Sequence, residues 1–428
     1  MNHKTKFLIV ALATVMAMPA SAQRLGRDKP KDALPDDMSR NTETTTTTAP
    51  TTTGGRKMDI SKGAQKAIVE LQKAVNANDV AAIPAKLVAA RAVAKTNDDK
   101  FIIASIQTKA ALTANDNAAI QAGIEAMQAS GSAENPDLAA RYGDLGRRFK
   151  AAGQLDLAVA ALNKGLAIDP NNVGALINLA AIKDSQGQKA EAVTLMQKSF
   201  LASKVSGKKV EEGNYKFAAG LAYAQRMPLA NDLARQWYAA YPSPASMRDS
   251  LRIYRDLNRP TQAQLIDLLR LGRAANALSG ETDYFALGSA LVGAGKLAEA
   301  KSLMVEAKTA PKVDTTKSAF TDVVKKASAA PSRAAIDASA KAALAGGNGK
   351  AMIDAGDGLY GVGAYAEAVL LYRAALTKGG DAGLANLHLG MALARSGDKA
   401  GATAALNAVT GANAEVARYW LMWLATQA

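Results

Sequence analysis

Cysteine is absent from all 428 residues. Disulfides, thiolate metal sites, thiol nucleophiles and anchoring through a lipid-modified cysteine are therefore excluded. Histidine is nearly absent too: only His3 and His388 occur. His3 lies in the N-terminal leader described below, so neither a His-paired metal site nor a Ser-His-Asp triad can be assembled in the usual way. Aromatic residues make up only 5% of the chain, which speaks against sheets and against an array of stacking platforms. Beyond the N-terminus no apolar run is long enough to cross ~30 Å of hydrocarbon. Acidic residues are in deficit, 38 against 52 lysines and arginines.

The remaining routes to catalysis are thin. Asp354 and Asp357 stand at i, i+3 spacing, where capping and solvation are the ordinary explanations. Gly346-Gly347-Asn348-Gly349 has no strand before it, so a phosphate-cradling loop is not expected. No convergent acid, base and nucleophile can be named. The chain is read as a non-enzyme, with no catalytic, metal or cofactor residue.

What is present begins with a leader. Lys4 and Lys6 precede an apolar stretch over residues 7–17, and Ala20-Ser21-Ala22 stands before Gln23. This is the pattern of a cleaved secretory signal over residues 1–22, too short for a membrane anchor. Its loss takes two lysines and no acid, lowering the formal charge from +14 to +12. The expected location is periplasmic or secreted, with no integral membrane segment after cleavage. Residues 23–57 mix Asp, Lys and Pro and then run into threonines over 42–53. They cannot bury enough apolar surface to offset ordering entropy and are expected to be a disordered tether.

The rest of the chain keeps a beat. Gly153 and Gly187 lie 34 residues apart, as do Gly363 and Gly397, and Gly295 stands two such steps before Gly363. Alanine follows each five residues later, at Ala158, Ala192, Ala300, Ala368 and Ala402. Such a period marks stacked helical hairpins. The fullest unit starts at Ala139 and carries Tyr142, Leu145, Gly146, Phe149, Gly153, Ala158, Leu162 and Pro170 at its fourth, seventh, eighth, eleventh, fifteenth, twentieth, twenty-fourth and thirty-second places. Gly146 and Ala158 are expected where the two helices press together. Gly153 is expected to end the first helix in a left-handed conformation and Pro170 to stop the second.

This unit closely resembles the tetratricopeptide repeat, as do those built on Leu176-Leu179-Ala180, Tyr284-Leu287-Gly288, Gly356-Leu359 and Leu389-Gly390-Leu393. The expected fold is all-α: a right-handed α-solenoid of about ten helix-turn-helix hairpins closed by a single helix. Its expected divisions are divergent hairpins over 58–135, repeats over 136–310, a degenerate repeat over 311–348, repeats over 349–412 and a capping helix over 413–428. In the first division, Asn78-Asp79 and Asn115-Asp116 read as N-cap signals. The register slips in the middle: Ala180, Gly220, Leu251 and Gly288 are separated by 40, 31 and 37 residues, six beyond three periods.

The resemblance implies a concave groove lined by the fifth, ninth and twelfth places. Arg248, Arg252 and Arg255 take those places in one unit, with Arg259 extending the stripe, and Arg147 and Lys150 take the ninth and twelfth in the unit from Ala139. Guanidinium groups so placed can read carboxylates or phosphates. The opposing expectation is a solvated face, since Asp249 and Asp256 lie within reach of Arg252. A carboxylate clamp of the chaperone-adaptor kind is not met: Asn178 sits at the sixth place, but Gly143 and Arg147 precede it and Asn214 and Ala218 follow. At the other end, Trp420, Leu421, Met422 and Trp423 make a helix apolar on every side. It is expected either to cap the last hairpin or to dock a partner or second copy.

Three readings remain open. The first is a protein-binding scaffold among envelope proteins, holding acidic peptides during envelope assembly, secretion or surface-polymer export. The second is a direct binder of anionic glycan or another anionic polymer. The third, a nucleic-acid binder, is disfavoured by the leader and the scarcity of aromatics.

Overall fold

The computed structural model describes residues 58–427, preceded by a two-rung antiparallel ladder of Thr52–Thr53 with Arg56–Lys57. The expected leader, and the tether apart from that ladder, lie outside the described residues. Twenty-one α-helices follow in order. The first eight are α1 (Lys62–Asn76), α2 (Ile83–Val93), α3 (Asn97–Thr113), α4 (Asn117–Ser130), α5 (Asn135–Ala151), α6 (Leu155–Ile168), α7 (Val173–Ser185) and α8 (Lys189–Val205). The middle holds α9 (Glu212–Ala224), α10 (Leu229–Ala240), α11 (Pro244–Asn258), α12 (Gln262–Ala274), α13 (Gly280–Gly293), α14 (Leu297–Ala307), α15 (Ser318–Ser328) and α16 (Arg333–Gly346). The last are α17 (Gly349–Gly361), α18 (Tyr365–Thr377), α19 (Ala382–Ser396), α20 (Lys399–Asn407) and α21 (Ala414–Leu424). The architecture is an all-α repeat solenoid.

The hairpins close for the reasons the spacing gave. A Cβ on Gly146 would stand 2.5 Å from Leu162 Cγ, and one on Gly390 would meet Leu406 Cγ at the same distance. Gly356 faces Tyr372 and Gly288 faces Met304 in the same way. The eighth place thus receives the side chain sixteen residues on, and in these four hairpins a Cβ there would collide with it. Ala158, Ala192, Ala300, Ala368 and Ala402 are all fully buried in the same crossings. The turn between helices uses a left-handed residue, with φ of 75° at Gly153 and 92° at Gly397. Asn78 and Asn115 take that conformation as well, at φ 53°. Asparagine thus makes the turn in both pairs, but only one aspartate caps a helix. Asp116 accepts from the Ala119 N–H at 3.0 Å at the start of α4, whereas Asp79 accepts from the Ala82 N–H in a turn ahead of α2, whose N-cap is Ala82.

Two features depart from a simple stack. α15 packs on α13 and α14, whereas α16 packs on α17 and α18. The degenerate region therefore supplies two helices to two different neighbours rather than one hairpin. More consequentially, the chain folds back. Tyr238, Met247, Leu251, Tyr254, Leu268 and Leu271 of α10–α12 share one apolar core with α16–α21. α21 packs on α20 and α19, and also on α12 and α10.

Candidate partner-binding face

α11 is a well-defined helix. Ser243 caps it in a reciprocal pair with Ser246, and Pro244 occupies its first turn, where proline costs no hydrogen bond. Met247, Ser250, Leu251 and Tyr254 turn inward, leaving Arg248, Arg252 and Arg255 on the outer side. Arg252 is exposed and lies 5.0 Å from the centre of the Tyr223 ring on α9. Its charged partners are distant, Asp249 at 3.5 Å and Asp256 at 4.0 Å. Arg255 reaches Asp283 on α13 at 3.9 Å, and Arg248 has no ion pair among the described residues. The Tyr223 hydroxyl donates to Asp256 Oδ2 at 2.7 Å, which raises its pKa above the usual tyrosine value. First helices of three successive pairs thus meet along one strip.

Arg259 is different. It is the residue after α11, left-handed at φ 48°, and its N–H caps the Arg255 carbonyl. It occupies the turn place that glycine takes in other hairpins, so it serves the backbone of the turn rather than the stripe. Arg147 is exposed on α5 and paired with Asp144 at 2.8 Å, with Lys150 half-buried one turn on. Asn178 on α7 donates to its own Gly174 carbonyl at 2.9 Å. The structure brings Arg248, Arg252 and Arg255 together on one helix but sets Arg147, Lys150 and Asn178 on other helices, with no contact to them.

The C-terminal helix is covered by its own chain. Trp420 is fully buried, and its indole N–H donates to the Asp267 carbonyl on α12 at 3.1 Å. The Tyr419 and Tyr254 rings meet edge to face at 5.2 Å. Arg235 on α10 pairs with Glu415 at 2.8 Å, and the Tyr238 and Thr426 hydroxyls lie 3.0 Å apart. Trp420 and Trp423 are interior residues, which corrects the expectation of an apolar face exposed for docking. Leu421 and Met422 stay half-buried against the same core. The surplus of apolar surface serves the fold-back, in addition to capping the last hairpin.

Behind α21 lies a buried ionic network that the sequence did not announce. Arg270 on α12 donates to Asp267 at 2.9 Å and to Glu299 on α14 at 2.9 Å. His388 on α19 sits between two carboxylates, with Nε2 3.3 Å from Asp267 and Nδ1 2.8 Å from Asp357 on α17, the latter close enough for a charge pair but off the hydrogen-bonding line. The Tyr372 hydroxyl donates to Asp357 at 2.7 Å, and Lys296 pairs with the same carboxylate. Burial alone would push His388 down, but the Asp357 and Asp267 charges outweigh it and raise it to about 9. Burial would likewise raise both carboxyls; the imidazolium overrides it and holds them below the usual range.

This network fills a groove. In the unit from Gly349, the fifth, ninth and twelfth places are Ile353, Asp357 and Tyr360; in the unit from Gly383, the fifth and ninth are Leu387 and Met391. All five are buried. The Arg270 guanidinium lies 4.9 Å from the Tyr360 ring, and Gly361 approaches the Glu299 backbone so closely that a Cβ would stand 3.1 Å from its nitrogen. α12 and α14 therefore occupy the groove positions of the last repeats. The open groove places are those of α5, α7, α11 and α13, and only on α11 are all three basic.

Comparison with known proteins gives a match over part of the chain. A family model described as tetratricopeptide repeat matches residues 149–202. Among solved structures, a tetratricopeptide repeat protein from Parabacteroides merdae is 13% identical, over 77% of this chain and 99% of that one, at a TM-score of 0.27. The TPR2AB domain of yeast Sti1, in a pHSP90 complex, is 14% identical over 68% of this chain and 99% of that one, at 0.25. The C-terminal part of a repeat-containing protein from Cytophaga hutchinsonii is 11% identical over 73% and 95%, at 0.27. No curated protein matches the chain.

Proposed function

We propose that this chain, whose repeats resemble the tetratricopeptide repeat and match its family model over residues 149–202, is a non-catalytic scaffold that captures an acidic, extended segment of a partner protein along α11. One observation carries this reading: three arginines at the fifth, ninth and twelfth places of one repeat share the outer side of α11, Arg252 exposed and Arg248 and Arg255 half-buried, and the ion pairs of Arg252 and Arg255 are long. The two solvent-facing Arg252 pairs, at 3.5 and 4.0 Å, contribute at most about 1 kcal/mol each, and the half-buried Arg255–Asp283 pair is 3.9 Å long. Carboxylates of a bound segment, taking bidentate hydrogen bonds, can therefore displace them. The Tyr223 ring beneath Arg252 keeps the guanidinium plane presented. We further propose that the N-terminal leader exports the protein, so that its partners are envelope proteins met during envelope assembly, secretion or surface-polymer export.

The test is a pull-down from envelope extract with the chain from Gln23 onward, beside its R248A/R252A/R255A variant. Capture is expected to fall by at least about 10³-fold, from the loss of three or more charged hydrogen bonds at about 1.5–3 kcal/mol each, with the melting temperature unchanged. An undiminished set of captured partners sinks the assignment to α11. Intact mass of the exported protein checks the leader: it should begin at Gln23.

A further inference from the structure

The first and largest slip in the repeat register, the 40 residues from Ala180 to Gly220, has a structural cause. α8 runs for 17 residues, against 14 in α6 and 12 in α10. Its final turn is additional length relative to both, and a loop follows it before α9 begins at Glu212. Its inner side is apolar or small, with Val193, Met196 and Phe200 buried. Its outer side near the tip carries Lys198, Leu201 and Val205 at i, i+3 and i+7, with Lys204 beside them and Lys208 and Lys209 in the loop; all six are exposed. Leu201 is 66% and Val205 83% accessible, and an aliphatic pair this open gains nothing from the solenoid's own core.

The tip is built rather than frayed. The Lys208 N–H bonds the Ser203 carbonyl at 3.0 Å, and the Ser206 hydroxyl bonds the Ala202 carbonyl at 2.9 Å. The Tyr241 hydroxyl holds the Val210 carbonyl at 2.7 Å, while Lys209 Nζ lies 4.6 Å from the Tyr241 ring centre. Phe200 and Tyr215, 4.7 Å apart between ring centres, anchor the base. Of the nearest acids, Glu191 pairs with Lys183 at the opposite end of α8 and Glu212 pairs with Lys216, while the exposed Glu211 follows the loop.

We infer that this tip is a docking surface for an anionic phospholipid bilayer. Two exposed aliphatic side chains flanked by four lysines fit a surface that offers negative headgroups around an apolar interior. The lysines would sit at headgroup level while Leu201 and Val205 enter the acyl boundary, as on interfacial amphipathic helices. A purely polyanionic partner gives no reason for the aliphatic pair; a purely apolar partner gives none for the lysines. The surface lies on a second helix, apart from the arginine strip of α11, and stands or falls independently of it.

Co-sedimentation of the chain from Gln23 onward with vesicles of phosphatidylcholine alone, or mixed with phosphatidylglycerol, tests this. Binding is expected only to the anionic vesicles. Each lysine near such a surface contributes a factor of about five, equivalent to about 1 kcal/mol, so K204E/K208E/K209E should lose at least about 10²-fold. L201S/V205S should lose about tenfold while keeping its charge, and R248A/R252A/R255A should bind as the unaltered chain does. All five substitutions in the two tip variants are at exposed positions, and circular dichroism verifies that they fold. If L201S/V205S binds undiminished, the tip reads charge without entering lipid and the proposal is overturned. Equal binding to both vesicle types, or none to either, overturns it as well.

Discussion

At the residue scale, the molecule depends on a few places where size or charge has no latitude. Gly146 was legible because a residue without a Cβ at a fixed offset from Leu162 implies a helix crossing, and the 2.5 Å clearance gives the reason. G146A is expected to lower the unfolding free energy by about 1–3 kcal/mol through overpacking, measured by urea denaturation. His388 was not legible, since its two carboxylates are Asp267, 121 residues away, and Asp357. A histidine whose folded pKa is raised from 6.5 to about 9 contributes stability that is complete below pH 6.5 and lost as pH rises through 9. Denaturant midpoints should therefore fall between pH 6.5 and 9.5, by an amount on the order of 3 kcal/mol. H388A should abolish that slope. It should also cost about 3–5 kcal/mol, because it removes the cation that two buried carboxylates share and leaves each with one, Arg270 for Asp267 and Lys296 for Asp357. The carboxylates act in the opposite direction: with their folded pKa lowered below 3.8, their contribution is present above that value and disappears as pH falls through the folded pKa.

At the element scale, the hairpin is the unit the sequence writes most clearly, and its turn shows where reading by residue type misleads. Arg259 falls in step with Arg248, Arg252 and Arg255, so spacing alone enrols it in a basic stripe. The backbone instead uses it as the left-handed residue that closes α11, a conformation that costs an L-residue about 1–2 kcal/mol. R259G is accordingly expected to raise the melting temperature slightly, by up to about 1 kcal/mol of stability, and to leave partner capture by α11 intact. Arg226 at φ 52° and Asn276 at φ 53° hide the beat in the same way, since glycine is not written at their turns. The helices α15 and α16 show the complementary failure. Their small-residue register suggests a hairpin, yet with few large apolar groups to pack face to face, each joins the neighbour that offers more buried area.

At the scale of the whole molecule, the fold-back of α16–α21 onto α10–α12 separates this chain from a linear stack. In a one-dimensional solenoid each repeat answers only to its neighbours, so removal of residues 411–428 would loosen α19 and α20 alone. Here the same truncation uncovers Asp267, Tyr238 and Tyr254, and amide exchange should quicken in α10 and α12 as well as in α19. Helices α5–α8, in a separate apolar core, should keep their protection. All three tryptophans, Trp237, Trp420 and Trp423, lie in α10 and α21, so intrinsic fluorescence also reports this closure. The sequence by itself determined the helical hairpins, their glycine and alanine crossings and the basic strip, because a repeat encodes contacts at fixed separations of sixteen and thirty-four residues. Only the tertiary structure decided that Trp420 reaches a carbonyl 153 residues away and that the groove of the last repeats is filled by α12 and α14. Those contacts join surfaces with no period in common, and their complementarity exists only once both sides are folded.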